Sequence, residues 1–400
     1  MKVLLLTTSY PLRTGSRSGI FIQKMVEQLP AEMEVTVLAP DDSSMKNCEQ
    51  SGRCAIIPFR YAPKHWQRLA HGDGGIMAAF AQNKLNLLLL PPFLLSCFLM
   101  TCWHCRKADI IHANWSINGF LAGIAGLIFK KPVITTLRGS DVNLAAKSWL
   151  MRQLAGSCLS RSWAAVTVSP SLKQDLGRQF PVYADKITVI TNGVDQAFFA
   201  AGEQRLPAED GTVRFLYAGN LVSGKGVQVI LEAAVSLTAA NWLLDIVGDG
   251  PEREKLEAFC QEKNLGRKVR FHGAVAPERM PEFMGRADVF VFASFAEGRP
   301  NVVLEAMAAG LPVLASSIPA VQDLIRPGKE GLLFPPGDAR QLASQMMQLL
   351  SNPTERLGMG RQASRTAAAL GLSWEETGRR YAALYKAAVS SAAPPPCPAP

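Results

Sequence analysis

Residues 297–305 read EGRPNVVLE, two glutamates eight positions apart around a Gly-Arg-Pro elbow. The apolar run ADVFVFAS precedes them and the helix-like run VVLEAMAAG follows, so the loop belongs at the carboxyl end of a strand with a helix starting beside it. Open α/β sheets bind ligands at that place. Gly298 and Pro300 shape the turn, Arg299 stands between them, and the backbone N–H groups of the first helical turn, from Asn301 and Val302, face a negatively charged or hydroxyl-rich ligand. Glu305 lies about one turn deeper, where a carboxylate accepts a pair of hydrogen bonds from a vicinal diol such as a ribose.

Outward from this stretch the pattern repeats. Residues 217–226, YAGNLVSGKG, also end a strand and open a helix, with Gly219, Asn220 and Lys225 at the turn. Backbone N–H groups and one ammonium make a site for a diphosphate. The spacing is not that of a Walker A loop, because Gly226 follows Lys225. VGDGPERE, with Gly248, and FHGAV, with His272 and Gly273, are two further strand ends of the same half, and FHG is expected to meet a base through its backbone.

In the first half SYPLRTGSRSGIF stands where a dinucleotide fingerprint would be, and GxGxxG is absent. Gly15 and Gly19 there suggest a loop whose backbone approaches the donor. IIHANW and LRGSDVN are the other strand ends, and they bring His112, Arg138 and Asp141 forward as acceptor-binding candidates, Arg138 for an anion and Asp141 for a hydroxyl. A mutual Arg138–Asp141 surface ion pair is the plainer alternative. No His/Asp/Glu cluster has metal-ligand spacing, and no metal is expected.

Strand-like runs alternating with helical periodicity in both halves predict two doubly wound parallel sheets. The chain of 400 residues accordingly divides into a domain at 1–195 and a second at 196–372, with an amphipathic helix at about 373–388 packing back on the first and a Pro-rich tail, 389–400, expected to be disordered. Residues 1–195 carry 21 Lys+Arg against 12 Asp+Glu, whereas the rest carries 21 of each. The whole excess of +9 is in the first half. It suits nucleic acid, anionic lipid or a phosphorylated substrate, but no nucleic-acid module is present.

MKVLLLTTSYPLR is too short in its apolar run for a signal peptide and reads as a first buried strand, which implies a cytoplasmic chain whose eight cysteines are thiols. Cys102 and Cys105 form a CxxC without a second pair. LNLLLLPPFLLSCFLMTCWHC, residues 85–105, contains no Asp, Glu, Lys or Arg and approaches membrane-spanning length. Pro91 and Pro92 argue against a straight span, leaving a buried core helix and an interfacial one as alternatives.

The ordered set GNLVSGKG, VGDGP, FHG, EGRPNVVLEAMAAGLPVLAS and EGLLFPPGD, with TNGVD between the halves and LSWEE near the end, resembles the family 4 glycosyltransferases of GT-B architecture. The first half is similar to members that build bacterial surface polysaccharides. The resemblance implies two Rossmann-like domains facing a deep cleft and a retaining, metal-independent hexosyltransferase. Its co-substrate would be a nucleoside diphosphate sugar, a UDP-sugar ahead of a GDP-sugar. It further implies that Lys225 neutralises the leaving diphosphate, that Glu305 holds the ribose, and that Glu297 orients the donor sugar. Partners would be a saccharide or polyprenyl-linked acceptor and the inner-leaflet membrane surface. Two positions depart from the pattern. Asn220 stands where many relatives have arginine, with Arg13, Arg178 and Arg299 as candidate substitutes for the charge. Arg138 stands where many have histidine, which favours an anionic acceptor. Asn220 also motivates the rival reading of a catalytically silent scaffold. A sugar-nucleotide epimerase would need carboxylates and a histidine placed for proton abstraction, and that set is missing.

Overall fold

The structure, a computed structural model, describes residues 1–12, 19–41, 54–70, 76, 79, 83–203, 211–237 and 241–391. Gly15, Arg13, Cys48, Cys397 and most of the tail lie outside them. The chain forms two compact units, Met1–Asn192 with Trp374–Pro400, and Gly193–Ser373.

Among the described residues the first unit holds seven strands: β1 (Lys2–Leu6), β2 (Glu34–Pro40), β3 (Cys54–Phe59), β4 (Ile110–Asn114), β5 (Val133–Leu137), β6 (Ala164–Thr167) and β7 (Ile187–Val189). They line up as β3-β2-β1-β4-β5-β6-β7, every pair parallel. Central strands are near-continuous apolar runs because helices cover both faces. All five residues of β4 and of β5 are buried. The second unit holds β8 (Val213–Ala218), β9 (Trp242–Val247), β10 (Val269–Gly273), β11 (Val289–Phe292), β12 (Val313–Ser316) and β13 (Gly331–Phe334), ordered β10-β9-β8-β11-β12-β13 and again all parallel. Strand order reverses direction between β1 and β4 in one sheet and between β8 and β11 in the other. Loops diverge at such a point and leave a crevice at the carboxyl ends.

The chain returns to the first unit through the helix Trp374–Ser390, which ends two residues later than expected. Trp374, Tyr381 and Tyr385 join the apolar cluster around β1, β2 and the helix Ile20–Glu27. Gly378 is required there, because a Cβ would collide with the Gln28 carbonyl. Thr377 donates to the Thr191 carbonyl at 2.9 Å.

Pro91 and Pro92 begin a helix rather than break one. The helix runs Leu90–Cys105 with the prolines in its first turn, where their missing N–H groups cost nothing, and a 3-10 segment, Lys84–Leu89, leads into it. Of the two alternatives for this segment, the buried core helix does not hold, since only 17% of its apolar stretch is buried. By length and composition this stretch could cross a membrane, but Phe93, Cys97, Thr101 and Cys105 are packed into the protein. The six described cysteines are free. Burial raises the Cys102 thiol and pushes that of Cys105 up to about 11, which leaves both protonated.

Candidate active site

At the switch point of the second sheet, β8 ends in Gly219–Gly226 and β11 in Ala293–Pro300. The two loops are sewn together. Phe295 N–H donates to the Gly224 carbonyl at 3.0 Å, and Ser294 Oγ lies 3.2 Å from the same oxygen. Gly226, at φ +66°, makes the approach possible, since a Cβ there would strike the Ala293 carbonyl oxygen. The approach brings the Lys225 ammonium onto Glu297 Oε1. Ser294 Oγ donates to that oxygen as well, at 2.9 Å, so the carboxylate is held from two sides. Lys225 and Glu297 keep 30% and 16% of their side-chain surface, enough for both to reach a ligand. Tyr217 stands behind them with its phenol donating to the Asn220 carbonyl at 3.1 Å, and burial, then the charge of Glu297, push its pKa up.

The remaining strand ends of this unit close on the same loops. Gly219 N–H donates to Val247, Leu221 N–H to Asp249 and Gly248 N–H to Gly273. A Cβ on Gly248 would collide with the Gly219 carbonyl. Gly219, Asn220, Gly248 and Gly273 therefore share one backbone surface. Gly298, Arg299 and Pro300 lead from Glu297 into the helix Asn301–Ala308, whose first residues are Asn301 and Val302, while part-buried Glu305 sits in its second turn. His272 meets the Asp245 carboxylate at 2.6 Å, with its ring edge on Phe283, so its side chain is satisfied within the sheet. Arg299 is half-buried. Burial lowers its guanidinium to about 10, Asp323 opposing, and its Nε has no partner. Arg178 makes an exposed pair with Asp175 in the first unit.

In the first unit Gly19, at φ +76°, sits against the Ser9 carbonyl just after β1, where a Cβ would collide. Beyond β5, the Arg138 guanidinium is held by amide oxygens rather than carboxylates. Nε and Nη2 donate to Asn114 Oδ1 at 3.0 and 2.8 Å, Nη1 to Asn192 Oδ1 at 3.4 Å, and Phe21 lies 4.2 Å beneath. Burial lowers the guanidinium to about 10, so it stays charged at neutral pH. Asp141 does not form the alternative ion pair with Arg138. Its oxygens accept from the backbone N–H groups of Arg138, Gly139, Val142 and Ser116, at 3.1 to 3.2 Å, which orders the turns into two helices. Burial raises its pKa against these bonds.

His112 is wholly buried. Tyr385 Oη lies 2.6 Å from Nδ1 and Thr136 Oγ1 lies 2.8 Å from Nε2, and burial then Arg138 lower the imidazole to about 3. It lines no open surface, and any part it has in acceptor binding must pass through Arg138 and the last helix.

Two family models match this chain, Glycosyltransferase Family 4 over residues 18–198 and Glycosyl transferases group 1 over residues 201–366. The chain belongs to the family 4 glycosyltransferases. It is 26% identical over 380 residues to a putative teichuronic acid biosynthesis glycosyltransferase of Bacillus subtilis, covering 86% of this chain and 87% of that protein. It is 32% identical over 231 residues to a D-inositol 3-phosphate glycosyltransferase of Corynebacterium urealyticum, covering 53% and 54%. Its fold matches that of Anabaena HepE in complex with UDP at TM-score 0.77, 18% identity and coverage of 97% and 100%, which makes the architecture GT-B.

Three contributors to the transferase's geometry escape a reading of its sequence, Ser294, Asn114 and Asn192, and Tyr385 is legible only as part of the apolar face of the last helix. Asn114 and Asn192 sit inside strand-end strings, IIHANW and TNGVD, and being strand-end amides was their only signal. Ser294 stands only three residues before its partner Glu297, but the Gly224 carbonyl it also meets comes from a distant segment, as His112 does for Tyr385.

Proposed function

We propose that this transferase moves a hexose-type sugar from a nucleoside diphosphate sugar to an anionic saccharide or lipid-linked acceptor in bacterial surface-polysaccharide synthesis, with retention at the anomeric carbon and without a metal. A UDP-sugar is favoured over a GDP-sugar, and the reaction is assigned to the cytoplasmic side of the membrane. The observation that carries the reading is the meeting of Lys225 and Glu297 at the β8/β11 switch point.

In this reading the diphosphate lies over the backbone of Gly219, Gly248 and Gly273, and Lys225 leaves Glu297 to neutralise it. Glu297 and the N–H groups that follow it hold the sugar, and Glu305 accepts from the ribose hydroxyls. The bond between the anomeric carbon and the diphosphate oxygen breaks as the acceptor oxygen attacks on the same face. The acceptor proton passes to the departing phosphate. The chain's part is positioning and electrostatic stabilisation. On the acceptor side, Arg138 offers a cation that makes no direct ion pair with a described carboxylate, although Asp141 acts on it from nearby, and Asn114 and Phe21 hold it in place. That suits a phosphate or carboxylate. The D-inositol 3-phosphate transferase among the relatives has a phosphorylated substrate in its name, and the teichuronic acid enzyme a surface polymer.

Thermal melting with UDP, GDP, ADP and dTDP, each with and without EDTA, tests the donor half. A nucleotide at about a hundredfold its Kd adds roughly 2.7 kcal/mol. UDP stabilisation that survives EDTA supports the reading. No stabilisation by any of the four would move the chain to the scaffold reading that Asn220 suggests. Anomeric configuration of the product, read by NMR against the donor, tests retention.

A further inference from the structure

The helix Leu90–Cys105 is apolar all round but covered on one side only. Leu95, Leu99 and Trp103, spaced four residues apart, point away from the protein and are 57–64% exposed. Leu85, Leu87 and Leu88 of the preceding 3-10 turn extend the stripe, and Leu127 and Ile128 of the adjoining helix Ser116–Phe129 widen it. A surface helix in water normally turns a polar face outward. A contiguous apolar flank of this kind marks a binding surface.

Charge selects the occupant. Between Lys84 and Arg106 no side chain is ionised at neutral pH, because burial and Lys107 hold His104 neutral. At the far end, the Arg106 guanidinium lies 5.4 Å from the Trp103 ring and 5.5 Å from that of Phe129, which ties the ends of the two helices together. Lys107, Lys130 and Lys131 follow directly on the two helices, and Lys131 is near enough to act on Cys105. None of these four cations is paired with a described carboxylate. A second copy docked across a two-fold axis would bring this cationic end against the same flank without supplying any anion.

We infer that this flank lies on an anionic lipid surface. The leucine stripe, about 24 Å long for a 16-residue helix, enters the boundary between headgroups and acyl chains. Trp103 sits at headgroup depth, and Arg106, Lys107, Lys130 and Lys131 lie among the phosphates. The helix lies in the plane of the membrane, because its inner side, with Phe93 and Cys97, is already packed on the sheet. The inference rests on the transferase reading for its purpose, which is to bring a lipid-linked acceptor to the basic unit.

Co-sedimentation of the full chain with phosphatidylcholine vesicles, with and without phosphatidylglycerol, tests it. The chain should pellet with the anionic vesicles and be released by salt. Leu99→Glu combined with Trp103→Glu should abolish pelleting, while Lys107→Gln and Lys130→Gln should each weaken it about fivefold. Each variant's UDP-induced melting shift reports its folding. Failure of the native chain to bind either vesicle, or undiminished binding by the Leu99/Trp103 variant, overturns the inference. So does a dimer in sedimentation velocity that the same variant dissolves while vesicles capture nothing. Vesicle binding by a chain that no nucleotide stabilises would sink the transferase reading and leave the docking surface standing.

Discussion

Tyr385 and His112, 273 residues apart, meet at 2.6 Å between the phenol oxygen and Nδ1 in the buried heart of the first sheet. Burial holds the Tyr385 pKa well above its ordinary value, so the phenol is protonated and donates. Nδ1 then accepts, which assigns the ring proton to Nε2, facing Thr136 Oγ1. Thr136 in turn reaches Tyr381 Oη at 3.0 Å. One chain of hydrogen bonds locks the last helix to β4 and β5.

That lock makes the fold acid-sensitive. His112 is lowered from 6.5 to about 3 in the folded chain, so between these values the unfolded chain binds a proton that the folded chain refuses. Stability therefore rises with pH through this window and is lost as pH falls, by about 1.4 kcal/mol per unit. His112→Gln should remove one proton's worth of slope from urea unfolding between pH 6 and pH 4. An unchanged slope would mean that His112 does not titrate this way.

Removing the phenol should loosen the last helix. Tyr385→Phe leaves a buried ring nitrogen without its donor, at a cost of about 1–3 kcal/mol. Hydrogen exchange should quicken over Trp374–Ser390, and nucleotide-induced stabilisation, carried by the second unit, should persist.

Lys225→Met and Glu297→Gln should each lower turnover by about a hundred- to a thousandfold, the size seen when a group aimed at developing charge is lost. Because the two side chains touch, the double variant should lose much less than the product of the single losses. Independent, multiplying losses measured by steady-state kinetics would show that the pair does not act as a unit.

Neighbouring glycines should behave oppositely. Gly226→Ala forces a Cβ onto the Ala293 carbonyl in a left-handed backbone, which costs more than the about 1–2 kcal/mol of the conformation alone and should weaken nucleotide binding. Gly224→Ala meets nothing within 4 Å and should melt like the native chain. Paired melting curves with and without UDP read both effects.

Arg138→Gln should raise KM for an anionic acceptor about ten- to a hundredfold, the worth of a charged hydrogen bond of roughly 1.5–3 kcal/mol. The UDP melting shift should not move. A change confined to donor affinity would reassign Arg138 to the donor side.

The elements were legible because they are local. Apolar runs such as KVLLL and VFVF, and glycine-rich turns such as GNLVSGKG and EGRPN, carry their strand, loop and helix signals within a few residues, and the ordered set of turns identifies the family. Adjacency was not local. That Lys225 reaches Glu297 depends on β11 pairing with β8 rather than on spacing along the chain. His112 read as a ligand-facing strand end because nothing near it in sequence announces that Tyr381 and Tyr385 close over it. Asp141 beside Arg138 suggested an ion pair, yet nearby backbone N–H groups took the carboxylate and left the guanidinium to Asn114. Residues 85–105 were equally undecided, since a helix apolar all round fits a core or a lipid boundary. Local propensity and turn chemistry act within a few residues, so the sequence alone determined the strands, helices, glycine turns and family. Strand order and packing act between segments far apart in the chain. Only they decided which charges meet, which histidine is sealed, and which leucines are left facing outward.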